Sequence, residues 1–278
     1  MKQIYVNLKR FDVPRALGGV NDLAEVKNWG KYIIKNVNDG LERYKEKAEF
    51  TFFLPEMHLL SALEETKGEQ LLRIGCQGVC RDDVKKGGNF GAFTTSLPAT
   101  AAKAAGCEQV LIGHCEERNQ LSEILQEAGI KDTAAINRLL NKEIKAAIAQ
   151  DMKVLYCIGE KSSELENWQD VLKEQLMTGL EGVDTGKVAI AYEPIWSIGP
   201  GKMPADKDYI EKIAHYIKNQ INGIKVVYGG GLKKENARML ASIPEIDGGL
   251  IALTRFQGDI GFYPEEYLEI VDLYLSVE

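Results

Sequence analysis

Eight short apolar runs recur along the 278 residues, and a helical pattern follows each of them. They are Gln3–Leu8, Glu49–Leu54, Leu71–Cys76, Gln109–His114, Lys153–Gly159, Lys187–Glu193, Lys225–Gly230 and Gly249–Thr254. Val, Ile, Leu and Tyr dominate these runs and all are too short for helices, so they read as strands buried on both faces of a parallel sheet. Between the runs the spacing becomes helical. In INRLLNKEIKAAIAQ, for instance, Ile136, Leu139, Leu140, Ile144, Ala147 and Ile148 fall on one face. Eight βα units in a chain near the usual length of about 250 residues predict an α/β fold of the (β/α)8 barrel type. A doubly wound open sheet is the competing arrangement, but NLKRFDVP after the first run lacks the G-x-G-x-x-G turn that marks it. No Pro-, Gly- or Ser-rich linker divides the chain, so residues 1–278 read as one domain.

Composition narrows the function classes. A formal charge of -7 argues against nucleic acid as the main partner, though not against a small anion held by local lysines and backbone N–H groups. No run approaches the roughly 18 uninterrupted apolar residues of a membrane span, and MKQIYVNLKRF has no apolar core of the kind a signal peptide needs. A cytoplasmic protein is expected. The cysteines, Cys76, Cys80, Cys107, Cys115 and Cys157, are odd in number and scattered, which argues against a disulfide framework. Cys76 and Cys80 lie close together, but no histidine or second cysteine pair completes a zinc set.

In a barrel, chemistry gathers where strands end and the following loops begin. The strand ends here carry Asn7 and Lys9, Gln77, His114, Gly159 and Glu160, Glu193, Gly229 to Gly231, and Thr254 with Arg255. Glu193 follows VAIAY directly, and burial there would raise its pKa and make it a base near neutral pH; an isolated strand-end acid more often pairs with a lysine. His114 is the one histidine of three at a strand end, beside a helix start whose dipole would keep the ring neutral. Strand alternation places Asn7 and Lys9 on the same side. SIGPGKM looks like a phosphate loop but is not a Walker A sequence. VVYGGGLKKENARM sets three glycines between a strand and a helix, where N–H groups at a helix N-terminus would form an anion site.

Taken together these segments resemble the triosephosphate isomerase family over essentially the whole chain. AYEPIWSIGPGK is similar to its sixth-strand signature, LIGHCEER to its fourth-strand segment, and VNLK to its first strand; CIGE and YGGG…ENA follow in the expected order. The resemblance implies a TIM barrel with Glu193 as catalytic base, His114 as electrophile, Lys9 stabilising negative oxygen and Asn7 holding it, supported by Glu116 and Cys115. It implies a lid over Trp196–Lys202, with Gly199, Gly201, Gly230 and Gly231 at the phosphate, and no cofactor or metal. GAFT, with Phe93 and Thr94, matches a long loop that in the family inserts into the other subunit of a homodimer. A small phosphorylated sugar is the implied substrate: D-glyceraldehyde 3-phosphate, interconverted with dihydroxyacetone phosphate in glycolysis and gluconeogenesis.

The departures cluster at the phosphate end. Ala252 and Leu253 stand where the family has a glycine pair, and Arg255 two residues on is either a replacement charge or a solvent-facing residue, unless the alignment slips there. Gly231 and Cys115 each replace a serine, and Ser96 and Glu117 replace an acid and an arginine that pair across the dimer. CRDDVKKGGNF lengthens the dimer loop. Two further readings follow: an isomerase of the same mechanism acting on a larger ketose phosphate such as erythrulose 1-phosphate, and a non-catalytic sugar-phosphate-binding barrel. Aldol chemistry would want a Schiff-base lysine inside a strand, and no strand interior holds one.

Overall fold

A computed structural model describes residues 1–66, 71–130, 132–199 and 202–276 of the chain. Eight parallel strands close into a barrel in sequence order. They are β1 (Lys2–Asn7), β2 (Ala48–Leu54), β3 (Leu72–Cys76), β4 (Gln109–Ile112), β5 (Lys153–Ile158), β6 (Val188–Tyr192), β7 (Lys225–Tyr228) and β8 (Gly248–Ile251). Every run expected to be a strand is one, within three residues at each end. Around them pack α1 (Val26–Leu41), α2 (Leu59–Leu63), α3 (Ala99–Ala105), α4 (Cys115–Glu127), α5 (Thr133–Ala149), α6 (Trp168–Gly179), α7 (Lys207–Gln220), α8 (Ala237–Ala241) and α9 (Pro264–Leu275). Among the described residues no helix is long and apolar enough to cross a membrane.

Alternation along each strand divides the core in two. One set (Tyr5, Phe53, Leu111, Leu155, Ala191 and Val227 among others) fills the barrel. The other set, including Ile4, Phe52, Ile112, Tyr156, Ile190 and Val226, packs outward under the helices. Burial of both faces is why the strands read as continuous apolar runs. The barrel's lower end is polar: Gln3 donates to Glu49 at 3.0 Å, and Arg73 pairs with Glu49 at 3.1 Å.

The stripe on α5 is shifted from the one expected. Ile136, Leu140, Ile144 and Ala147 are buried, but Leu139 and Ile148 are only half-buried at its margin. Polar residues take the remaining buried positions because they bond across to neighbours. Asn141 donates to the carbonyls of Gly179 and Glu181, and Asn137 links Arg118 to Glu174.

Phe52 on β2 meets the rings of Phe262 and Tyr267 edge-on, at 6.1 and 5.1 Å between centroids. This contact ties the first half of the barrel to the last helix. Phe52→Ala is therefore expected to lower the unfolding free energy by about 3–5 kcal/mol, measured by urea denaturation; a loss below 1 kcal/mol would show that the surrounding rings close the gap.

Candidate active site

The inward register of the strands continues into the residues just beyond them. Asn7, Gln77, Gly113, Gly159, Glu193 and Gly229 share the parity of the barrel-filling residues and so form its upper layer. Glu193 is the acid of this layer, immediately after β6, and is only 2% exposed. Its two strand neighbours contribute glycines, and they need to. A Cβ at Gly159 would lie 1.8 Å from the Glu193 carbonyl oxygen, and one at Gly229 would lie 2.7 Å from Glu193 Cγ. The carboxylate fits because these two side chains are absent.

Burial pushes the pKa of Glu193 up, opposed by the His114 imidazole, the Cys115 N–H and more distant cations. Oε2 accepts the Cys115 backbone N–H at 2.9 Å, and Oε1 lies 3.4 Å from His114 Nε2. His114 closes the loop after β4 and is the N-cap of α4. Its Nδ1 accepts the Glu116 N–H at 3.2 Å. A nitrogen accepting an N–H bond carries no proton, so in the neutral ring the proton sits on Nε2, facing Glu193.

Lys9 reaches the same place by a different route from the one expected. β1 ends at Asn7, and Lys9 lies two residues on with a φ of 42°, so strand alternation does not govern it. Instead Asn7 Oδ1 accepts the Lys9 N–H at 3.0 Å and fixes the turn. The Lys9 ammonium pairs with Glu116 at 2.6 Å. Asn7, Lys9, Gln77, His114 and Glu116 line one open cleft of about 430 Å³. Glu193 is not in that lining and sits behind His114. Cys115 is half-buried beside both; burial, and then the charge of Glu193, push its thiol pKa up to about 12, so it is a neutral neighbour at physiological pH. His114, Cys115 and Glu193 offer ligand atoms within 4.8 Å of one another, but a cation there would have to displace the Nε2 proton while Nδ1 remains committed to Glu116.

Two groups around the site carry more than sequence reasoning assigned them. Glu160, wholly buried, accepts from Tyr192 Oη (2.8 Å), Trp196 Nε1 (2.8 Å) and Tyr209 Oη (3.1 Å). It anchors the base of the loop after β6, whose first turn spans Ile195–Ser197. Arg118 donates to the carbonyls of Gly113 and Cys157, to Asn137 and to Tyr156, locking the ends of β4 and β5 together. In the sequence, the only hint of either is its place beside a strand end.

The remaining expectations divide. Gly199 is exposed with a φ of 117°, and Gly201 lies outside the described residues. Gly230 and Gly231 do not open a helix directly, because α8 begins only at Ala237 and is five residues long. Arg255 is held in an ion pair with Glu266 at 2.7 Å and lies 3.8 Å over the Tyr263 ring, so its planar fork is already occupied. Phe93 and Thr94 lie in the long loop between β3 and α3, which exposes Phe90 at 86%. Glu117 turns inward: it accepts the Gly113 N–H at 2.6 Å and sits against Glu143. Burial, reinforced by the charge of Glu117, pushes the Glu143 carboxyl up to about 10, so Glu143 keeps its proton near neutral pH.

The family model for triosephosphate isomerase matches residues 24–260. The triosephosphate isomerase of Geobacter metallireducens is 36% identical over 184 residues, 61% of this chain and 68% of its own. That of Alkaliphilus metalliredigens is 33% identical over 214 residues, 72% of this chain and 79% of its own. The crystal structure of triosephosphate isomerase from Bartonella henselae superimposes with a TM-score of 0.73 at 23% identity, covering 98% of both chains; at that identity the likeness concerns the fold.

The raised pKa of Glu193 has a sign that can be tested. Below about pH 4 the carboxyl is protonated both folded and unfolded. As pH rises, the unfolded chain ionises first and the buried group resists, so the ionised carboxylate costs the native state stability. Glu193→Gln is expected to stabilise the fold at pH 7, and the gain is expected to shrink away as the pH falls toward about 4. Thermal unfolding across that range checks it; a destabilised variant at pH 7 would mean that the hydrogen bonds outweigh the burial.

Proposed function

The chain belongs to the triosephosphate isomerase family, and from that membership we propose that it interconverts D-glyceraldehyde 3-phosphate and dihydroxyacetone phosphate by proton transfer through an enediolate. The observation that carries the proposal is a buried glutamate of raised pKa with an oxygen 3.4 Å from Nε2 of the His114 imidazole. Pairing a glutamate base with a neutral histidine is the known mechanism of this family.

In this chain Glu193 takes the proton from the carbon beside the substrate carbonyl, and the electron pair moves toward the carbonyl oxygen. His114 Nε2–H donates to that oxygen and passes protons between the two oxygens of the enediol. Glu193 then returns its proton to the neighbouring carbon, so the reaction needs no external reductant or oxidant. The Lys9 ammonium sits in the same cleft and lowers the energy of the negative oxygen. Asn7 fixes the Lys9 turn, and Glu116 orients its ammonium. To reach a carbon in the cleft, Glu193 must leave the Cys115 N–H. Its backbone leads through Pro194 straight into the turn Ile195–Ser197, so closing of the loop over Trp196–Lys202 moves the carboxylate with it.

We take residues 1–278 as one functional unit in the cytoplasm, and a second copy of the chain as its partner, docking through the long loop that bears Phe90, Phe93 and Thr94. Exposure of the Phe90 ring supports that face.

Removal of the base is the direct test. Glu193→Gln is expected to reduce kcat on D-glyceraldehyde 3-phosphate by about 10²–10⁴-fold with the fold intact; activity within twofold of the unmutated chain would overturn the assignment. For the unmutated chain, kcat/KM is expected to fall at acid pH with an apparent pKa above the ordinary glutamate value. For the partner, sedimentation at micromolar concentration is expected to give a dimer, and Phe90→Ser with Phe93→Ser a monomer.

A further inference from the structure

The turn that presents His114 is held by two acids that the proton transfers do not use. Gly113, between β4 and His114, has a φ of 78°, and a Cβ there would meet the Cys157 carbonyl oxygen at 3.0 Å. With no side chain to pack, its conformation is set by the groups that take its backbone N–H and carbonyl. Consecutive residues of α4 take both. Glu117 Oε2 accepts the Gly113 N–H at 2.6 Å, and Arg118 Nε donates to the Gly113 carbonyl at 2.9 Å. Glu117 stands at the third position of the helix, from which an acid commonly reaches back to the N-cap amide. Here it reaches one residue further, past the N-cap His114.

Glu117 is itself held from behind. Glu143 on α5 is 6% exposed, and its carboxyl lies within hydrogen-bonding reach of Glu117. Arg81 and Cys80, from the start of the long loop, are the other ionisable groups facing Glu143. Because Glu143 keeps its proton near neutral pH, it donates to the Glu117 carboxylate. Two ionised carboxyls would repel each other there and drive Glu117 away from Gly113.

Resting on the isomerase reading above, we infer that Glu117 is a positioning residue for His114: with Glu143 behind it, its carboxylate fixes the Gly113 turn and so the place of the imidazole opposite Glu193. It touches no reacting atom. Reach is what the role requires, since the accepting oxygen must arrive 2.6 Å from the Gly113 nitrogen. A displacement of about 1 Å at a catalytic group can cost about 10²-fold in rate.

Two variants separate reach from charge. Glu117→Gln keeps the reach and loses the charge, whereas Glu117→Asp keeps the charge and is one methylene short. Glu117→Asp is expected to lower kcat on D-glyceraldehyde 3-phosphate about tenfold with KM within about twofold, and Glu117→Gln to retain kcat within about threefold. With nitrogen-labelled histidine, the NMR signals of the His114 ring, assigned through His114→Gln, are expected to coincide in the unmutated chain and Glu117→Gln and to shift in Glu117→Asp. Unmoved ring signals in Glu117→Asp overturn the inference, as does an unmoved kcat, or a Glu117→Gln variant that falls as far as Glu117→Asp. Glu117→Ala, which removes the acceptor, takes the place of Glu117→Asp if the shorter acid does not fold. An unmutated chain without isomerase activity sinks the functional reading, and the ring signals alone then decide the positioning role.

Discussion

A carboxylate removed from water is costly unless its surroundings compensate, and the upper end of this barrel is arranged around one such group. Glu193 receives a backbone N–H from Cys115, faces the imidazole of His114, and is admitted by two strands that end in glycine. Each of these depends on something deeper. The Cys115 amide points at the carboxylate because α4 starts there, and α4 starts there because His114 caps it. The barrel must close with β5 and β7 on either side of β6 for Gly159 and Gly229 to flank the acid. The raised pKa of Glu193 is therefore a property of the barrel's register more than of the glutamate alone.

A second layer holds the first in place. Arg118 spends its donors on the carbonyls at the ends of β4 and β5, which fixes the loop that presents His114. Glu160 gathers Tyr192, Trp196 and Tyr209, and burial pushes its own carboxyl pKa up despite those donors. The start of the loop after β6 is thus tied to a buried acid one strand away from Glu193.

Much of this was legible in the sequence, because it depends on local pattern. Strand runs buried on both faces, the position of Glu193 two residues past Ala191, and His114 before a helical stretch all follow from spacing. What was not legible depends on which of several equivalent partners lies closest in space. Arg255 looked free for phosphate, yet Glu266 on α9 reaches it first. Glu117 looked like half of an intersubunit pair, yet the Gly113 amide and Glu143 turn it inward. Lys9 was placed by strand alternation, whereas a turn held by Asn7 delivers it. In each case the residue type was visible and its neighbour was not.

The central claim is that Glu193 exchanges a carbon-bound proton of the substrate. Incubating the protein with dihydroxyacetone phosphate in D2O and recovering the substrate pool for NMR tests it most directly. One deuteron is expected on the carbon next to the carbonyl, since the protonated carboxyl trades with solvent before it returns its proton. Product formed with no deuterium at that carbon in either substrate or product would contradict it, because the hydrogen would then be moving without passing through an exchangeable acid.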